Sequence, residues 1–200
     1  MKKLAGSAAG RVVALIVITS MCLFAAQAAS ATQPADRTVA HTAQGDLKSR
    51  IIGTTAGGQK VTGSFVPLDF RKHDGKVFVR GLVQGVVHQA DGDRTTFSKL
   101  KTLRVKSVNG TPAHAGRAAA ARATCDILNL VLAPLDLDLL GLQVHLDRVV
   151  LTIVAKSGAG NLLGNLLCAV TGLLDGPGLG GLLGRLTTLL DRILGALRLG

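Results

Sequence analysis

The chain has 200 residues and a formal net charge of +11, with 23 lysines and arginines against 12 acidic residues, every one an aspartate. It has no tryptophan or tyrosine and only five phenylalanines, so it lacks the ring platforms that single-stranded nucleic acids and sugars stack on. Nucleic acid is therefore not an expected partner. The positive charge points instead to anionic surfaces such as phospholipid headgroups or cell-wall polymers, or simply to the solubility of an exported protein.

Lys2, Lys3 and Arg11 form a basic start, and residues 12–26 form an apolar run. Ala26-Gln27-Ala28 and Ala29-Ser30-Ala31 both fit a small-residue cleavage site. This is the pattern of a secretory signal peptide over residues 1–31, and the run is shorter than the roughly 18 residues of a membrane span. Met21 stands directly before Cys22 where a lipobox needs a small residue, so a released protein is expected rather than a lipid-anchored one. Removing Lys2, Lys3 and Arg11 leaves 20 basic residues against 12 aspartates, about +8, on a mature chain of about 170 residues. That length suits one domain with a real core, and no transmembrane helix is expected in it.

Residues 32–45 are poor in apolar side chains and read as a flexible leader. Residues 46–178 read as a β-rich domain ending in a first helix. Residues 62–70 alternate, with Val66, Leu68 and Phe70 on one side. After a turn at His73-Asp74-Gly75, a long strand places Val77, Val79, Val83 and Val87 on one face with Gly81 and Gly85. Its other face carries Phe78, Leu82 and Val86 between Arg80, Gln84 and His88. Glycines at alternate positions predict a bent strand or a close approach of another group. A further strand over 95–108 is basic: Lys99 and Lys101 share one face, Arg104 and Lys106 the other. An Ala- and Arg-rich stretch at 111–124 reads as an exposed connection.

The period of two returns with Leu128, Leu130 and Leu132, is interrupted by Pro134, and resumes through Leu135, Leu137 and Leu139. Leu142, Val144, Leu146, Val149, Leu151 and Ile153 continue it. At residues 157–161 the period switches to that of a helix. Asn161 is the expected N-cap, with Leu163, Leu166, Leu167, Val170 and Leu174 on the apolar face. Asp175-Gly176-Pro177-Gly178 ends it. Residues 179–200 form a second amphipathic helix, with Leu182, Leu186, Leu189, Leu190, Ile193 and Leu197 inward. The expected fold class is α+β: an antiparallel β-sandwich or curled sheet followed by two C-terminal helices, the last packed on the β domain.

With Cys22 removed, Cys125 and Cys168 remain, and an even count in an oxidising compartment predicts one disulfide. It would close a loop of about 43 residues, worth roughly 4 kcal/mol by the chain-entropy estimate. Metal thiolate or redox use finds no CxxC and no neighbouring histidine to work with.

The block bracketed by these cysteines reads C-x-I-L-x-L and later G-x-G-N-L-L-G-x-L-L-C, through Cys125, Pro134, Gly141, Gly160, Asn161, Gly164 and Cys168. It resembles a family of secreted, functionally uncharacterised proteins of high-GC Gram-positive bacteria. Ala133 departs from the glycine that pattern places before the proline. The resemblance covers about a quarter of the chain and implies no activity.

Several residues invite chemistry. Asp136 and Asp138, and likewise His145 and Asp147, sit two apart on one strand face and offer an acid–base pair for glycoside hydrolysis. The alternative is the solvent side of an alternating strand, and the lack of aromatics to hold a sugar favours that. Ser64 lies in no nucleophile elbow. His88, Asp91 and Asp93 form a turn of the kind that often binds nothing, so neither metal nor cofactor is expected. Lys99, Lys101, Arg104 and Lys106 are the candidate anionic-surface set. The leucines are core, or line a cavity for a lipid or other apolar small molecule. The expectation is a secreted, envelope-associated or surface-binding protein that is not an enzyme. The alternatives are a carrier of an apolar ligand and a hydrolase with an unrecognised site.

Overall fold

The computed structural model describes residues 36–114, 125–176 and 181–199. The expected export signal, Cys22, most of the Ala- and Arg-rich connection and part of the inter-helix turn lie outside them. Among the described residues nine strands come first: β1 (Arg37–Thr42), β2 (Gly45–Thr55), β3 (Lys60–His73), β4 (Lys76–His88), β5 (Arg94–Val108), β6 (Thr111–Pro112), β7 (Ile127–Leu132), β8 (Leu135–Leu139) and β9 (Leu142–Ala155). Helices α1 (Leu162–Leu174) and α2 (Leu183–Ala196) follow. All the strand pairings are antiparallel.

The α+β class holds, but the sheet is a closed barrel and not a sandwich. Neighbouring strands run β2-β3-β4-β5-β7-β9, and β9 returns to pair with β2 from Gly45↔Ala155 to Thr55↔Val144. That last pairing uses up both free edges, so six apolar strand faces wrap around one another instead of stacking as two sheets. Leu47 and Ile51 of β2, Phe65 of β3, Val79 and Val83 of β4 and Leu128 and Leu130 of β7 fill the interior, all at 1% exposure or less.

Two irregularities re-phase the apolar pattern. In β3, the register shifts between Pro67 and Asp69, making Leu68 the extra residue of a bulge. Phe65 and Phe70 therefore both point inward, while Val66 faces out half-buried. The expected shared face of Val66, Leu68 and Phe70 is thus corrected by a bulge beside a proline, where a ladder tolerates one. In β9, the shift opposite Ile52 leaves Asp147 and Arg148 both exposed and lets Val144 and Leu146 share the interior with Val149 and Leu151.

The glycines of β4 do accommodate a close approach. A Cβ on Gly81 would run into the Phe65 ring, and one on Gly85 into the Phe97 ring. The expected leader is also corrected: Arg37–Thr42 is strand β1, an edge strand against β2. Only Val39 and Ala40 of it pack on the core, so its alternation is faint in sequence.

The two helices pack on each other, α1 against β9 and α2 against β3 and β4. The buried face of α1 is the expected one, Leu163, Leu166, Leu167, Val170 and Leu174. In α2 Leu186, Leu190 and Ile193 are buried as expected, but Leu183 and Leu194 are buried with them while Leu182 and Leu189 are only half-buried. Asn161 makes no side-chain cap. Instead the Leu163 N–H donates to Gln44 Oε1 (3.2 Å), from the turn between β1 and β2. The Phe70 N–H donates to Asp191 Oδ1 (2.7 Å), tying α2 to β3. No helix among the described residues is long and apolar enough to cross a membrane.

Gly164 gives this packing a signed test. A Cβ there would overlap the Lys156 carbonyl, whereas one on Gly172 meets nothing within 4 Å. Helix propensity alone favours alanine at both positions by about 1 kcal/mol. Gly164→Ala is nevertheless expected to destabilise by about 1–3 kcal/mol through overpacking against backbone, and Gly172→Ala to stabilise by up to about 1 kcal/mol. Urea unfolding of both variants measures the two signs.

Candidate functional site

The register of β3, β4 and β5 assembles a surface that no single strand contains. On the outer side of the barrel, directly opposed residues form rows. Lys60, His88 and Arg94 make one, and Val66, Leu82 and Leu100 another. Asp69, Arg80 and Thr102 follow, then Arg71, Phe78 and Arg104. The apolar row thus lies beside the Asp69-Arg80-Thr102 row, and the neutral rows Thr62-Val86-Thr96 and Ser64-Gln84-Ser98 separate it from Lys60, His88 and Arg94. Leu100 is 44% exposed and Leu82 half-buried.

Arg71 Nε is bonded to Asp69 Oδ1 at 2.6 Å. Among the described residues, Lys60, Arg80, Arg94, Arg104 and Lys106 make no ion pair. A cleft of about 360 Å³ opens over the Phe78 side chain, walled by Arg71, Lys72, His73, Arg80 and Thr102. His73 stands edge-on to the Phe78 ring at 6.3 Å. Aromatic floor and guanidinium walls suit an anionic group with an apolar neighbour.

The expected basic set is divided by this geometry. Arg104 is in the outer rows, and Lys106 is exposed two residues on. Lys99 pairs with Val83 and Lys101 with Gly81, on the sheet face that lines the barrel. Arg71, Arg80, Phe78 and the Val66-Leu82-Leu100 row were not singled out from sequence, because cross-strand register decides them. One signal was present: β4 is apolar on both faces, which an ordinary half-exposed strand is not.

The paired carboxylates separate in the structure. Asp136 lies opposite His145 and accepts from its Nδ1 at 2.6 Å, with Asp147 3.8 Å from Nε2. Asp138 Oδ1 instead accepts the Gly141 N–H at 2.8 Å and serves the β8–β9 turn. The bond to Asp136 raises the His145 pKa above its ordinary value, against a smaller opposing effect of desolvation, with further help from the charges of Asp136 and Asp147. The group is open to water, and the shift favours the protonated imidazole on this surface. His88 Nε2 is taken up by Thr62 Oγ1 (2.8 Å), and Asp91 accepts the Asp93 N–H within the turn. Among the described residues no group of three or more His, Cys or Asp side chains could hold a metal ion. Ser64 is buried at 6% exposure on β3.

Cys125, just before β7, and Cys168, in α1, are free thiols and hydrogen-bond neighbours. That contact, with burial, raises the pKa of Cys168.

The His145 arrangement makes a prediction. Asp136→Asn is expected to lower the His145 pKa toward about 6.5, and Asp147→Asn to lower it less. Imidazole proton shifts followed against pH by NMR read both.

No protein-family profile matches this chain, and no curated protein or solved structure matches it either, so the resemblance noted in the Cys125 and Cys168 block rests on its motif alone.

Proposed function

We propose that this is an exported, non-enzymatic binding protein that docks on anionic lipid headgroups through the outer face of β3, β4 and β5. The observation that carries the reading is the Val66-Leu82-Leu100 row, which shares one outer face with Arg71, Arg80 and Arg104 toward one end of the strands and with Lys60 and Arg94 toward the other. A basic residue near an anionic leaflet contributes about 1 kcal/mol. The unpaired Lys60, Arg80, Arg94 and Arg104 together would give only about 4 kcal/mol, millimolar binding by themselves. The apolar row decides whether docking is strong enough to matter, which is why lipid is favoured over a wall polymer offering charge alone. The carrier reading is not supported by the barrel centre, which side chains fill.

Sedimentation with vesicles tests the docking. Binding is expected to phosphatidylglycerol vesicles and not to phosphatidylcholine vesicles, and to weaken as salt is raised. Arg80→Gln with Arg104→Gln is expected to reduce it about tenfold or more, and Leu100→Asp to abolish it. Equal binding to both vesicles, or to neither, rejects the reading.

Export into an oxidising compartment would join Cys125 to Cys168. The bonded protein is expected to lose two hydrogens in its intact mass. Cys125→Ser is expected to cost roughly 4 kcal/mol relative to it. An unchanged melting temperature rejects the bond.

A further inference from the structure

The barrel wall parts on one side. β5 and β7 are paired only over a short stretch, between Val105↔Leu132 and Val108↔Leu130. The Ala133 N–H donating to the Arg104 carbonyl (2.9 Å) is the last rung. Pro134, which follows, has no N–H to offer. Beyond it β8 pairs with β9 alone, and β5 from Arg94 to Thr102 pairs with β4 alone. Two strand edges therefore face each other across a fissure of about 720 Å³, within the roughly 300–1,000 Å³ of small-molecule sites.

Its lining combines Thr95, Thr96, Ser98, Lys99 and Asp138 with a run of large apolar side chains. Phe97 stands on the β5 side, with Leu139 and Leu142 on the hairpin side, all three half-buried against the core. Leu140 sits at the rim, fully exposed and at φ 57°, a backbone conformation rare for a bulky residue. Lys99 reaches across and donates from Nζ to the Asp138 carbonyl at 2.7 Å. The Asp138 carboxylate is held by its own turn, and neither Lys99 nor Lys101 makes an ion pair among the described residues.

Open edges invite an added strand, but inward-pointing lysines are what edge strands carry to prevent that. A cation whose nearest partner is a neutral carbonyl, beside an apolar trough, has the complementarity of an anionic head on a hydrocarbon tail. We infer that the fissure binds a long-chain fatty acid, its tail along Phe97, Leu139 and Leu142 and its carboxylate on Lys99, with Lys101 behind. This site lies on the other face of the sheet from the docking surface and does not depend on it.

The chain has no tryptophan or tyrosine, so binding of a fluorescent polyene fatty acid can be followed with little protein background. On the signal-free, oxidised chain, saturable one-to-one binding is expected, displaced by palmitate. Lys99→Gln is expected to weaken palmitate about tenfold while leaving hexadecanol unchanged. Leu140→Asp, at an exposed position, is expected to weaken both, with the melting temperature of each variant showing that it is folded. Absence of saturable binding overturns the inference, as does a Lys99→Gln variant that binds palmitate normally. An alkyl phosphate that binds in preference to palmitate overturns the assigned class. Binding lost in Leu100→Asp and kept in Leu140→Asp would put the tail on the docking face and overturn the site, while leaving the vesicle result to stand by itself.

Discussion

Pairing of β2 with β9 is the constraint on which this molecule depends. It joins Gly45 to Ala155 and Thr55 to Val144, strands about a hundred residues apart in sequence. Loop closure over such a distance costs entropy before any contact repays it, so the pairing forms at the expense of folding speed. Once formed, it removes the free edges of β2 and β9 and encloses the valine and leucine faces of six strands. On its other side β2 is tied to β3 through Ser49. It is buried on β2 where β3 peels away toward β1, and its hydroxyl accepts the Phe65 N–H at 2.8 Å in place of a backbone partner.

Closure is complete at one side only. Along β5 the wall is continuous beside Val105 and Val108 and parted beside Phe97 and Lys99. One proline accounts for much of the difference. Leu128, Leu130 and Leu132 point inward before it. After it the inward phase passes to Leu135, Leu137 and Leu139, and the new strand leaves with β9 instead of β5. The same interruption that shortens the barrel wall thus opens the fissure beside Phe97, Leu139 and Leu142.

Local pattern was readable from sequence; pairing was not. The two faces of β4, the leucine alternation of β7 and β9 and the buried stripes of both helices follow from side-chain period alone, since burial on one side imposes it. Whether six amphipathic strands stack or close depends on which strand meets β9, and no local residue encodes that. Register is equally silent, and so the row of Val66, Leu82 and Leu100 was invisible although each residue was in plain view. Bulges hid the rest. The extra residue at Leu68 exchanged the faces of Val66 and Phe70. The cap of α1 came from Gln44, more than a hundred residues away in the chain.

Among the described residues three groups have displaced pKa values: Asp191 through burial against α2 and β3, His145 through Asp136, and Cys168 through Cys125. All three move upward. A folded pKa above the unfolded one means that folding takes up protons, whether the group is a carboxyl, an imidazole or a thiol. Around each group's own titration the native chain is the more protonated form, the thiol counting only while Cys125 and Cys168 are unbonded. Acidification through each of their ranges therefore favours the fold. The same protons add positive charge to a chain that is already a polycation, so an acidic microenvironment at an anionic surface would both tighten the structure and strengthen its attraction to that surface.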